Sequence, residues 1–282
     1  MIEVSINGFH FSTNSTTTAE LRAEFLDKSS EISAFLTKHD LANADIFILN
    51  GFATTNDVSL NNGDKITIIK RGVMPDLEIL RSMIEARNTP ELNNALKNAC
   101  IGVAGLGGLG SNIALSLARA GVAKLIVADF DVVEPSNLNR QQYYVRHIGL
   151  KKTQAIKELI ADVNPFVKVI AHDVKIDANN VSSVFSPCSI ICEAFDNVVG
   201  KHMFLTQAAN SLKDKQIICG SGMAGHFSSN LIKTTKFAKN VYICGDMKNE
   251  AKFHQGLMAP RVGICANHQA NMALRLLMGL AE

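Results

Sequence analysis

The run Gly105-Leu-Gly-Gly-Leu-Gly110 spaces its glycines as G-x-G-x-x-G between an apolar stretch, Cys100-Ile-Gly-Val-Ala104, and a helical pattern over residues 111–120. Without a Cβ the backbone turns tightly and brings its N–H groups up to phosphate oxygens, and a helix start favours the negative charge they carry. A second apolar stretch, Lys124-Leu-Ile-Val-Ala128, ends on Asp129, about twenty residues on, where a carboxylate accepts hydrogen bonds from a ribose. Ser136-Asn-Leu-Asn-Arg-Gln141 follows. The glycine loop alone is weak, because such turns also serve packing. Strand, loop, helix, strand and acid together predict a nucleotide site and leave open which nucleotide, since a dinucleotide oxidoreductase would show just this much.

Such residues need a sheet to hold them. Residues 153–163 read as an amphipathic helix with Ala155, Ile156, Leu159 and Ile160 on one face. A strand over 167–171, a short helix over 180–185, a strand over 188–193, a helix over 201–212 and a strand over 216–220 follow. This repetition predicts an α/β fold, a Rossmann-like, doubly wound and mainly parallel sheet with ligands beyond the carboxyl ends of its strands. Asp129 and Asp196 both stand at such ends. Residues 227–234 and 240–244 read as antiparallel additions, 245–256 as a polar, mobile crossing loop, and 270–280 as a closing helix.

The first 70 residues follow another pattern. Residues 2–6 alternate, Asn7-Gly8 signals a hairpin and the alternation resumes at Phe9. Thr18 caps a predicted helix, and residues 32–36 continue or restart that helical layer; a strand over 45–49 turns at Asn50-Gly51, and another turn at Asn62-Gly63 precedes a closing strand. Two strands, a helix and two strands predict a small α+β β-grasp domain. The expected boundaries are 1–71 for that domain, 72–75 for a linker and 76–282 for the second domain, opening on a helix over 76–87.

Composition narrows the partners. A chain of 282 residues, 47% hydrophobic and 19% charged, is a folded protein, and a net charge of +2 with no basic run leaves no footprint for nucleic acid. No segment approaches the 18 apolar residues of a membrane span and the N-terminus has no signal pattern, so no membrane association and a cytoplasmic location are expected. The six cysteines form no C-x-x-C pair, which predicts core thiols and no structural zinc.

From about Leu77 to Leu280 the chain resembles the adenylating enzymes of the ThiF/MoeB family, relatives of the ubiquitin-activating E1 enzymes. The resemblance rests on Gly105-Leu-Gly-Gly-Leu-Gly110, on Asp129-Phe-Asp131 leading into Ser136-Asn-Leu-Asn-Arg-Gln141, on Gly149-Leu-Lys-Lys152 and on Phe195-Asp-Asn197. Gly256-Leu-Met-Ala-Pro-Arg-Val-Gly263 with His268-Gln-Ala270 also fits. Phe47-Ile-Leu-Asn-Gly51 and Leu60-Asn-Asn-Gly-Asp-Lys-Ile66 make the N-terminal domain similar to the ThiS/MoaD sulfur carriers.

The resemblance implies ATP- and magnesium-dependent adenylation of the C-terminal glycine of a separate small β-grasp sulfur carrier ending in Gly-Gly, with the thiamine-pathway carrier as the first expectation. It implies that Gly105, Gly107, Gly108, Gly110, Asp129, Asn137, Gln141 and Asn197 bind the nucleotide, that Arg140 and Lys152 act on its phosphates, and that Asp196 binds magnesium. Arg140, Lys152 and Asp196 are the catalytic candidates. A homodimer is implied, with residues 76–87 near its interface and Arg87 reaching the partner's nucleotide. The zinc cysteines and the acyl-disulfide cysteine of some relatives have no counterpart, leaving Cys244 or Cys265 as substitutes only if a loop brings one to the adenylate. The alternatives are a molybdopterin-carrier or peptide-modifying adenylyltransferase, a nicotinamide-dependent oxidoreductase, and a binding protein that has lost catalysis.

Overall fold

Two Asn-Gly pairs shape the first sheet. Asn7 (φ 48°) and Gly8 (φ 92°), and again Asn50 (φ 48°) and Gly51 (φ 90°), take the left-handed conformation at both central positions, the turn whose twist matches paired strands. The first pair joins β1 (Ile2–Ile6) to β2 (Phe9–Thr13), the second β3 (Ile46–Leu49) to β4 (Phe52–Ala53). β5 (Asp64–Ile69) runs parallel to β1 and antiparallel to β3, giving the order β2-β1-β5-β3-β4. The buried Asn7 amide donates to Ile68 O at 3.0 Å and accepts the Ile68 N–H at 2.8 Å, so a side chain extends the β1–β5 ladder.

Helices α1 (Thr18–Glu24), capped by Thr17, and α2 (Glu31–Lys38), capped by Ser30, bury Leu21, Ile32 and Leu36 against Val4, Ile6, Ile66 and Ile68. Of the two expected courses the helical layer takes the restart, at Glu31; the two-residue β4 is finer than the sequence pattern resolved. The computed structural model describes residues 1–281 and divides into two compact units, Met1–Asn94 and the remainder from Ala95. Helix α3 (Leu77–Ile84) places Ile79, fully buried, and Met83 in the core of the first unit. The helix expected to open the second domain thus completes the first core, because its apolar positions fall one turn apart on the face turned to the sheet. It gives way to a 3-10 turn over Glu85–Arg87, and α4 (Pro90–Leu96), Asn-rich and short, follows.

The second unit alternates β6 (Cys100–Ala104), α5 (Gly108–Ala120), β7 (Lys124–Asp129), α6 (Lys152–Val163), β8 (Lys168–Asp173), α7 (Val181–Phe185), β9 (Ile190–Glu193), α8 (Val198–Ser211) and β10 (Gln216–Gly220). It ends with β11 (Lys233–Ala238), β12 (Val241–Gly245) and α9 (Ala259–Leu277). The sheet order is β11-β12-β10-β9-β6-β7-β8. Only β11 is antiparallel; β12 pairs with β10 in the parallel sense, so of the two late strands one continues the main sheet. The order reverses between β6 and β9, and a reversal opens a crevice at the carboxyl ends of the strands. Helix α9 begins well before the expected residue 270, with Pro260 in its first turn where a missing N–H costs nothing. Among the described residues no helix is long and apolar enough to cross a membrane.

Ile79→Ala should destabilise the first unit by about 2–5 kcal/mol, the usual cost of hollowing a core aliphatic. Denaturant titration measures it; a loss below about 0.5 kcal/mol would detach α3 from that core.

Candidate nucleotide-binding site

A cleft of about 940 Å³ lies at the reversal, walled by the loops after β6, β7 and β9. Gly105 turns with φ at +93°, and a Cβ on Gly110 would overlap the Gly105 carbonyl oxygen. Gly110 therefore closes the loop from behind, while Gly105, Gly107 and Gly108 face the cleft. Gly107 caps α5 without a side-chain bond, leaving the first N–H groups of a 13-residue helix turned toward whatever enters.

Asp129 holds that loop in place. One carboxylate oxygen accepts the Leu106 N–H at 2.6 Å and the other the Asp131 N–H at 2.8 Å. An ionised carboxylate has about four acceptor positions, so two bonds leave room for ribose hydroxyls. From below, the Tyr143 hydroxyl donates to Leu106 O at 2.9 Å. Burial, with the Asp129 charge nearby, pushes the Tyr143 phenol well above its ordinary range and keeps it a donor.

The segment after β7 is tied to α5. Ser111 Oγ donates to Gly107 O at 2.7 Å and accepts the Gln142 N–H at 3.1 Å; Asn112 donates to Gly108 O at 2.7 Å and to Arg140 O at 3.2 Å. Asn137 is buried, its side-chain oxygen accepts the Glu134 N–H at 3.1 Å and its carbonyl accepts the Arg140 and Gln141 N–H groups, so it braces the loop as well as lining the cleft. Arg140 donates to Ser136 O and to the Asn139 amide oxygen and takes no carboxylate among the described residues. Gln141 is buried with its amide oxygen lacking any donor.

Lys152 starts α6 with its side chain 7% exposed, and its ammonium donates to Asp131 at 2.9 Å. Lys151 points away: it is half exposed and pairs with Asp173 at 3.4 Å. Across the reversal, Asn197 caps α8 by accepting the Gly200 N–H at 2.7 Å. Asp196, though its residue type also suits a cap, is left out of that role. Asp196 is exposed on the cleft, and its carboxylate accepts one hydrogen bond among the described residues, from the Asn197 amide at 3.3 Å.

The structure therefore brings Gly105, Gly107, Gly108, Asp129, Asn137, Arg140, Gln141, Lys152, Asp196 and Asn197 to one cleft and leaves Gly110 as packing behind it. Ser111, Asn112 and Tyr143, which help hold them, have no role in the sequence reading, and Asp131 stood there only as part of a motif; an S-N pair and a Tyr among motif residues carry no spacing signal. Lys201 also lines the cleft, paired with the buried Glu193. Loop 245–256 is fastened by Asp246, which accepts the Lys248 and Asn249 N–H groups and pairs with Arg261, both side chains 4% exposed. Asn249 and Glu250 reach the cleft from it.

The donor set suits a triphosphate with its metal. The helix start and Arg140 offer donors without anions, the Gln141 oxygen lacks a donor, and Asp196 supplies one hard carboxylate of the kind that holds magnesium beside phosphate oxygens. Among the described residues no group of three or more His, Cys, Asp or Glu could hold a metal alone. No thiol lines the cleft: Cys244 and Cys265 are buried, and burial pushes the Cys265 thiol up to about 12.

A model of the ThiF family matches residues 81–282 and one of ThiS-like ubiquitin residues 27–72. The "Probable adenylyltransferase/sulfurtransferase MoeZ" of Mycobacterium tuberculosis (H37Rv) is 36% identical over 127 residues, 45% of this chain and 32% of that protein. The "Molybdopterin-synthase adenylyltransferase" of Salmonella typhimurium is 28% identical over 199 residues, 66% of this chain and 76% of that protein. The match thus spans about a third of the length of curated relatives such as MoeZ and three quarters of the shorter one. The solved E. coli tRNA N6-threonylcarbamoyladenosine dehydratase, TcdA, in complex with AMP, shares the fold at a TM-score of 0.62 and 21% identity, over 71% of this chain and 93% of that one. With the glycine loop, the acid of β7 and the cations Arg140 and Lys152 gathered at one sheet reversal, and a family model covering most of its length, the chain belongs to the ThiF family.

Proposed function

We propose that the chain is an ATP-dependent adenylyltransferase that activates the C-terminal carboxylate of a separate small β-grasp sulfur carrier in the cytoplasm. The observation that carries this reading is the convergence of Arg140, Lys152 and a singly bonded Asp196 on the cleft that holds the glycine loop. A nicotinamide-dependent oxidoreductase would use the loop and Asp129 but leaves those three without a task.

In the reaction a carboxylate oxygen attacks the α-phosphorus of ATP, the bond to the β-phosphate oxygen breaks, and pyrophosphate leaves behind a mixed acyl phosphate anhydride. An anion must approach an anion, so barrier lowering comes from charges placed where negative charge gathers. Arg140 offers a planar donor fork and Lys152 a compact ammonium for the phosphates. The α5 N-terminus supplies backbone N–H groups, Asp129 takes the ribose, and Gln141 accepts a ligand donor. Magnesium, held by Asp196 and phosphate oxygens, would neutralise further charge.

The carrier we propose is the thiamine-pathway one, on the ThiS-like match of the first unit. The molybdopterin carrier is the second reading, favoured by the name of the Salmonella relative. We further propose a homodimer with residues 76–87 near its interface; Arg87 is exposed on the 3-10 turn that closes this segment. The fused β-grasp unit is not itself the substrate, since Gly72 is followed by Val73 and its carbonyl lies in a peptide bond.

Arg140→Ala and Asp196→Ala should each lower carrier-dependent ATP–pyrophosphate exchange by about a hundredfold or more with melting temperature nearly unchanged; wild-type exchange in either variant would remove that residue from the chemistry. Asp129→Ala should weaken ATP binding and, by orphaning the Leu106 and Asp131 N–H groups, destabilise the fold by about 1–3 kcal/mol; calorimetry of ATP binding and thermal melts read both. Incubated with ATP and magnesium but no carrier, the chain should show no AMP adduct on its first unit by mass spectrometry. An adduct there would make the fused unit the substrate.

A further inference from the structure

Strand β9 ends in a charge that its surroundings do not favour. The Glu193 side chain is 0% exposed, on a residue flanked in the sheet by Ala104 of β6 and Cys219 of β10. A lone carboxylate there is costly. Glu193 accepts the Phe195 N–H at 2.7 Å and the Lys201 ammonium at 2.9 and 3.0 Å. Burial pushes its carboxyl above the ordinary carboxylate range, and Lys201 pulls it back. An ion pair in such a place adds little that an apolar pair of equal volume would not; stability does not account for it.

Its geometry points at Asp196. On one side of that residue the Phe195 N–H is fixed to Glu193; on the other Asn197 caps α8, the helix that delivers Lys201 back to the same carboxylate. The turn is thus clamped at both ends by one buried group, while the Asp196 carboxylate between them is exposed. We infer that the Glu193–Lys201 pair is the positioning device for Asp196, fixing where its carboxylate meets a divalent cation carried on nucleotide phosphates. The inference rests on the nucleotide reading above. Glu193 and Lys201 act through Asp196, as outer partners of a metal ligand do.

The test is calorimetric titration of ATP with and without magnesium. Wild type gains affinity from the metal. Glu193→Gln, which keeps the shape and an acceptor for Phe195 but loses the charge, and Lys201→Met lose about tenfold or more of that gain, while metal-free ATP affinity stays within about twofold. Lys201→Arg restores the gain. In an Asp196→Asn background, Glu193→Gln costs nothing further, because both changes act on one interaction. Metal-free ATP binding also reports folding, and Lys201→Arg preserves the pair if either charge-removing variant fails to fold. A full metal gain in Glu193→Gln, or equal losses with and without Asp196, overturns the inference while leaving nucleotide binding intact. A wild type that binds no ATP overturns the nucleotide reading and the inference with it.

Discussion

The Asp129 carboxylate is where the cleft is made rigid. It ends β7, yet it holds the loop after β6 through Leu106 and its own turn through Asp131, so the two halves of one wall share a single group. α5 then ties the next segment to the same frame: Ser111 and Asn112 bond Gly107 and Gly108 within their helix and Gln142 and Arg140 outside it. The N–H groups at the helix start and the backbone of Arg140 are therefore set relative to each other by one turn of helix. A site that handles phosphate charge needs that fixity, because donors that must reorganise during the reaction lose much of their effect.

Across the cleft the positioning is of another kind. The late loop has no regular structure to lean on, and Met247 (φ 56°) and His254 (φ 62°) take left-handed conformations within it. It is held instead by the Asp246–Arg261 pair, which joins the end of β12 to the first turn of α9. Removing either partner would bury the other charge alone. The path of this wall thus depends on a long-range electrostatic contact.

That difference explains what was legible in the sequence. Strands β6 and β7, the glycine loop and Asp129 were readable because period, glycine spacing and acid all act within about thirty residues. The hairpins at Asn7-Gly8 and Asn50-Gly51 were readable for the same local reason. The fate of α3 was not: its periodicity marked a helix, but only the presence of a half-finished core beneath Ile79 and Met83 decides which unit it joins. Nor could sequence show that Asn197 caps α8 while Asp196 beside it is left to the cleft, since Asp and Asn both suit a cap. Loop 245–256 reads as mobile when its polarity is taken alone, and its anchor, Arg261, lies in a stretch whose helix start was itself hidden behind Gly256 and Pro260.

The charges of the cleft follow one economy of solvation. Lys152, with 7% of its side chain exposed, and Lys201, with 25%, each keep a carboxylate, Asp131 and Glu193 respectively. The partners differ: Asp131 is about half exposed and Glu193 is fully buried. A half-exposed carboxylate loses little by turning to water, and an ammonium has three donors, so Lys152 can take a phosphate oxygen with or without Asp131. Lys201 cannot leave Glu193 without stranding a charge in the sheet. Of two lysines on the same cleft, burial of the partner therefore holds Lys201 to the scaffold and leaves Lys152 the one able to turn to a ligand.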